Sequence, residues 1–313
     1  NNKNKDLALE LAFANDESQV VKILKNYQLW DDEHWHSFDE SSGNWSTIGN
    51  QQSNAVSALV EKIINSVDSV LMRECYLKGD DPQSTNAPHS VGEAQKEYFD
   101  IYNGSLTSTD SSQRSSLADN VYLVASGGKI PSLEIIDTGE GQSPEDFKNT
   151  FLSLNRGNKN KVNFVQGKFG MGGTGVLRYG SNNYQFNLII SRRNQDFHDS
   201  DKKWGVTLIR RFNATGNAKS SEYKYLCPND EILSFDSDGL ELLPTKEKSY
   251  SKILRHGAFI KLYDYKIDGK TASSRLSSDI TRHLSNKLNL MLPDIALPIM
   301  LVDTRFDNNH KVL

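Results

Sequence analysis

The sequence predicts an α+β layer sandwich with a mixed or largely antiparallel sheet, on three observations. An apolar period of 3.6 residues runs from Ser53 to about Glu74. Apolar or alternating segments of strand length recur as VYLVAS, SLEIID, YQFNLIISRR, WGVTLIRRF, EYKYLC and GAFIKLYDY. Helices surround this run of strands, with further helices and loops interposed.

In chain order, residues 5–27 read as an amphipathic helix. The irregular segment that follows carries Trp30, Trp35 and Trp45, rings expected to anchor it by burial while their indole nitrogens find polar partners. After the helix from Ser53, residues 79–92 and 104–116 read as polar loops, the second mobile. VYLVAS and SLEIID form two strands joined around GGKIP, and Ser143, Pro144 and Glu145 resemble a helix start. GKFGMGGTG is a glycine loop feeding a short helix, and polar turns such as NQDFHDSDKK separate the later strands. Residues 273–292 read as a helix ended by Pro293. No internal repeat occurs.

Composition narrows the function classes. A chain of 313 residues with 36% hydrophobic and 24% charged residues can bury a core for one large domain or two modest ones. It has no apolar run of about 18 residues and no signal-peptide pattern, so neither a membrane span nor secretion is expected and the cytoplasm is the default. The start at Asn1 and the polar end fit a fragment of a longer protein. Cys75 and Cys227 lack a CxxC spacing, and His34 and His36 lack the i, i+4 spacing of a zinc protease. The net charge of −4 gives no reason to infer a nucleic-acid surface, and leaves room for a local basic patch.

The helix from Ser53 poses the functional question. Val56, Val60, Ile63, Val67, Val70 and Leu71 gather on one side, the expected core stripe. Glu61, Asn65 and Asp68 fall within an arc of roughly 60° on the far side, because steps of four and three residues nearly close whole turns. Such an arc is either a solvated face or one wall of a pocket. Its neighbours Ser57, Ala58 and Met72, in place of basic residues, tilt the choice toward a pocket. There a carboxylate can orient or deprotonate a water, and an amide oxygen suits Mg²⁺.

Two further segments carry chemistry. In SLEIIDTGEGQSPEDF, a strand ends at Asp137 with Gly139 and Gly141 close behind, as in many tight turns, or as where a carboxylate accepts from an exocyclic amine and so selects adenine. In GKFGMGGTG, Gly167, Gly170, Gly172 and Gly173 around Met171 either make a flexible structural loop or offer backbone N–H groups to phosphate, with Lys168 adding a mobile positive charge. The loop is not a Walker A motif, since no GK[ST] ends it.

Taken in order, ExxxNxxD, then DxGxG about 70 residues on, then GxxGxGG about 30 further resemble the motifs of the GHKL superfamily. That superfamily includes DNA gyrase, ninety-kilodalton heat-shock chaperones, histidine kinases, MutL-type repair proteins and MORC ATPases. The resemblance spans roughly residues 53–265 and implies the Bergerat fold, an α/β sandwich holding ATP beneath a mobile lid. It implies Glu61 as the base orienting water, Asn65 as the Mg²⁺ ligand, and Asp68 as support for the nucleotide pocket. By the same resemblance Asp137 reads adenine, Gly139 and Gly141 border the base, and Lys168, Gly170, Met171, Gly172 and Gly173 meet the phosphates. The stretch with Asn155, Arg156, Lys159 and Lys161 falls where the family has its lid, or is a solvated loop.

Two departures stand out. Gly257 and Ala258 replace a common Gly-Thr step, and Gln142 replaces a common methionine. The glutamate of EKIINSVDS favours an ATPase over a histidine kinase, with MORC-like or chaperone-like relatives closer. The resemblance then divides the chain into an N-terminal helix and Trp-rich segment (1–52), an ATP-binding domain (53–272) and a helix beginning a transducer-like domain (273–313). The expected activity is Mg²⁺-dependent ATP hydrolysis with lid closure and an ATP-dependent homodimer, acting on a nucleic-acid or protein client without a membrane. DNA remodelling, protein remodelling and bacterial defence all fit. The alternatives are a module that binds ATP without turnover and an interaction scaffold with a degenerate pocket.

Overall fold

The computed structural model describes residues 2–37, 54–153, 161–167, 174–198, 202–214, 221–245, 247–267, 288, 294–305 and 309–313. Its helices are α1 (Asn2–Phe13), α2 (Glu17–Asn26), α3 (Ala55–Leu77), α4 (Val91–Phe99) and α5 (Ser111–Ala118). The strands are β1 (Trp35–Ser37), β2 (Val121–Gly127), β3 (Pro131–Asp137), β4 (Asn187–Arg192), β5 (Trp204–Phe212) and β6 (Glu222–Leu226). After them come β7 (Leu233–Phe235), β8 (Leu240–Leu243), β9 (Lys252–Leu254), β10 (Gly257–Leu262), β11 (Met300–Asp303) and β12 (Asn309–Val312).

The expected α+β sandwich with a mostly antiparallel sheet is what these elements build. The main sheet runs β1-β6-β5-β4-β10-β3-β2-β11-β12, with β7 added to β5, while β8 and β9 form a separate ribbon. Among the described residues β11 lies parallel to β2, and the other neighbours are antiparallel. All seven residues of β3 are buried, as a strand covered on both faces requires. On one face Leu123, Leu133 and Ile135 pack with Leu59, Ile63, Val67 and Val70 of α3. On the other, Val124, Ile136 and Phe259 pack with Leu7 and Leu11 of α1, Val20 and Leu24 of α2, and Leu240 and Leu242 of the ribbon.

α3 forms where the apolar period places it. Asn54 caps it, its side chain accepting from Ser57 N at 2.8 Å. The whole stripe from Val56 to Leu71 is buried, each large aliphatic side chain stabilising the fold by about 1.5–3 kcal/mol.

Several expectations need correction. The single helix over 5–27 is two helices, because Asp16 turns extended and caps α2 by accepting from Gln19 N at 2.9 Å. The stretch 104–116 is not simply a loop: Asp110 accepts from Gln113 N at 2.7 Å and starts α5 there. The loop over 79–92 ends at Ser90, whose hydroxyl caps α4. Trp35 is buried and its Nε1 donates to Leu29 O at 3.0 Å, while half-buried Trp30 lies 3.6 Å beneath the Arg210 guanidinium. Trp45 and the expected helix over 273–292, Leu288 apart, lie outside the described residues.

Candidate functional site

α3 is the element around which the site is built, because it touches two distant segments at once. From one side Asp68, fully buried, accepts from Gln166 N at 2.9 Å and from Gly167 N at 2.7 Å. A side chain added at Gly167 would place its first carbon 2.7 Å from Asn65 Oδ1 and 3.0 Å from Asp68 Oδ2. The start of the glycine segment is thus pinned directly against the predicted polar arc. The carboxylate there is an acceptor for backbone, a charge-assisted pairing stronger than a neutral one.

From the adjacent side, Ser69 holds the turn after β3. Glu140 N donates to Ser69 O at 3.0 Å and to Ser69 Oγ at 3.1 Å. Any Cβ at Gly139 would come within 2.2 Å of Ser69 Oγ, so the turn can approach the helix this closely only with glycine there. Gly141 adopts a left-handed φ of +64°, and a Cβ on it would lie 1.8 Å from Arg192 O. Both glycines are therefore demanded by chain packing, whatever ligand they also border. Asp137, 3% exposed at the end of β3, accepts from Gly139 N at 2.9 Å. By strand alternation it shares the α3 side of the sheet with Leu133 and Ile135.

Glu61 lies half-buried one turn before Asn65, and burial pushes its carboxyl above the usual carboxylate range. Such a group holds a proton more readily than a surface glutamate, as a general base near neutral pH must. Ala258 pairs with Asp137 across β10 and β3, so the residue opposite the carboxylate brings no hydroxyl. Lys168, Gly170, Met171, Gly172 and Gly173 lie outside the described residues, as do Asn155, Arg156 and Lys159; Lys161 is exposed.

A polar shell that sequence reasoning missed fixes the turn. His256 Nδ1 lies 2.9 Å from Gly139 O, and since a carbonyl can only accept, Nδ1 carries the proton. Burial pushes this imidazole down, which keeps it neutral near pH 7. Gln142 N donates to Ser191 Oγ at 3.0 Å, and Ser191 Oγ donates to Gly257 O at 2.7 Å. Buried Glu140 pairs with Arg193 at 2.9 Å, whose guanidinium lies against the rings of Tyr76 and Phe197. Nothing local in the sequence signals these hydrogen bonds, which join residues 49 or more positions apart.

No family model matches the chain, and no curated protein matches it. The site is accordingly argued from its own geometry. A second polar region lies elsewhere: a cavity of about 310 Å³ lined by Ser126, Tyr250, Lys261, Thr304 and Arg305 opens near the hairpin end of β2 and β3. That is the far end of β3 from Asp137, and Lys261 there is held by buried Glu134 at 2.9 Å. Among the described residues no three His, Cys, Asp or Glu side chains cluster as an all-protein metal cage.

What the arrangement can do chemically follows from its donors and acceptors. One helix face carries an elevated carboxyl (Glu61), an amide (Asn65) and a loop-holding carboxylate (Asp68). A second carboxylate, Asp137, ends the strand beside a glycine turn that the same helix supports. Mg²⁺ usually keeps several waters and takes few protein ligands when phosphates supply the rest, so a single amide oxygen such as that of Asn65 fits it.

Proposed function

We propose that this protein binds ATP with Mg²⁺ between α3, the Asp137–Gly141 turn and the segment starting at Gly167, and hydrolyses it. One observation carries the reading. The three segments that resemble the GHKL motifs, spread over more than 100 residues of chain, meet along one helix, through Asp68 to Gly167 and through Ser69 to Gly139 and Glu140. A Bergerat-type site requires that meeting.

In this reading Asp137 accepts a hydrogen bond from the adenine amine. Asp68 holds the entry of the glycine segment so that its backbone N–H groups can face phosphate oxygens. Asn65 would hold Mg²⁺, which when bound would neutralise phosphate charge. Glu61, its proton affinity raised by burial, orients the attacking water and takes its proton. ATP-driven lid closure and homodimerisation would couple turnover to a client.

Isothermal titration with Mg²⁺-ATP and a phosphate-release assay test the reading together. Wild-type protein is expected to bind and turn over ATP, and Asp137→Asn to lose binding. Glu61→Ala should bind ATP but release no phosphate. If Glu61→Ala turns over as wild type does, Glu61 is not the base; if wild type binds ATP and releases no phosphate, the protein is a nucleotide-binding module and not this enzyme. If Asp137→Asn binds with unchanged affinity, the nucleotide site itself is misplaced.

A further inference from the structure

Next to Glu61 on α3 stands a residue that the reading above leaves unused. Lys62 is 9% exposed, an unusual place for an ammonium group. Its Nζ makes no hydrogen bond or ion pair to another described residue. Burial pushes the amine down to about 8, with no carboxylate contributing to hold the charge. The position on the helix is equally specific. Lys62 precedes Ser69 by seven residues, which returns it to the same stripe within about 20°, about 10 Å along the axis. Ser69 is the residue against which Gly139 and Glu140 rest, and buried Ser66 lies between the two. Glu61 leaves the helix about 100° away, on the side of Asn65 and Gly167.

We propose that Lys62 is a nucleotide-binding residue on the base side of this site, its ammonium donating to an acceptor atom of the base or ribose while Asp137 accepts from the base amine. The inference rests on the nucleotide reading and extends it: the pocket reads a donor and an acceptor on the ligand, one with each residue. A lysine 9% exposed, with no partner among the described residues, gains little from its charge in the free fold, and methionine in its place would fill similar space. A ligand that supplies an acceptor accounts for the lysine.

The test measures free-protein melting and titrates adenosine, ADP and Mg²⁺-ATP into wild type, Lys62→Met and Lys62→Gln. Both variants are expected to melt no lower than wild type when free, and Lys62→Met higher. Both should bind adenosine, ADP and ATP about tenfold more weakly, since a base-side contact is common to all three. An adenosine affinity within twofold of wild type overturns the proposal, as does a lowered melting temperature in both variants, which would mark the amine as part of the fold. Wild-type protein that binds none of the three ligands overturns the nucleotide reading and this inference with it. Binding by wild type with unchanged variants overturns this inference alone.

Discussion

Asp68 offers the sharpest test of how the site is held, because its carboxylate makes two backbone contacts to described residues whose removal can be graded. It accepts from Gln166 N at 2.9 Å and Gly167 N at 2.7 Å while fully buried itself. Each hydrogen bond to a charged acceptor is worth about 1.5–3 kcal/mol. Gln166 and Gly167 are only partly buried, so water recovers some of the loss and the lower end applies. Asp68→Ala should therefore cost about 3 kcal/mol, roughly 5 °C in melting temperature for a protein of this size. Asp68→Asn keeps one acceptor but turns an amide donor toward the other N–H, and should cost about 2 kcal/mol. Urea unfolding followed by circular dichroism reads both. The nucleotide titration should weaken in the same order, since the glycine segment loses its anchor. Should Asp68→Asn match wild type in both unfolding midpoint and nucleotide affinity, the carboxylate does not hold that segment and the reasoning fails.

Three other outcomes follow from features already described. Glu61→Gln should cut single-turnover phosphate release by at least a hundredfold while leaving ATP bound; because the folded-state pKa of Glu61 lies above its unfolded value, ionisation opposes folding as pH rises past about 4.5, so the variant should gain melting temperature over wild type at pH 7 and not at pH 4. Gly141→Ala would force a side chain to within 1.8 Å of Arg192 O at a left-handed φ, and soluble expression should fall sharply, with any folded fraction lower melting. Lys261→Met leaves fully buried Glu134 with the Ser126 and Tyr250 hydroxyls but without its cation and should destabilise by about 3–5 kcal/mol in urea, most of it recovered in a Lys261→Met, Glu134→Leu double variant.

Much of the fold was legible because burial leaves periodic marks. The stripe of α3 and the strands β2, β3, β5 and β10 sit where alternation or apolar runs place them. The breaks were less legible. Asp16 reads as one more polar residue inside a helical pattern, yet its side chain caps the start of α2. α5 carries no apolar stripe, with only Leu117 and Ala118 buried, so its polar sequence reads as a loop. The β8–β9 ribbon and the β11–β12 pair are too short to show a period. At the site, helical spacing was enough to gather Glu61, Asn65 and Asp68. It could not say that Asp68 would be spent on backbone N–H groups nearly 100 residues away. Gly139 and Gly141 read either as a tight turn or as the border of a ligand, and their nearest neighbours are Ser69 and Arg192. A glycine reports that something comes close, and the sequence alone does not say what.

The parallel pairing of β11 with β2, Met300 beside Tyr122, has a consequence for how the polypeptide is made. On the ribosome, β2 and β3 can close their hairpin early, since a three-residue connection separates them. The outer flank of β2 must then wait until nearly all the later strands have been synthesised before its neighbour arrives. Throughout that interval the nascent chain carries a bare hydrogen-bonding margin of Tyr, Leu, Val and Ala. Shielding that margin is a task for chaperones or for fast translation of the intervening strands.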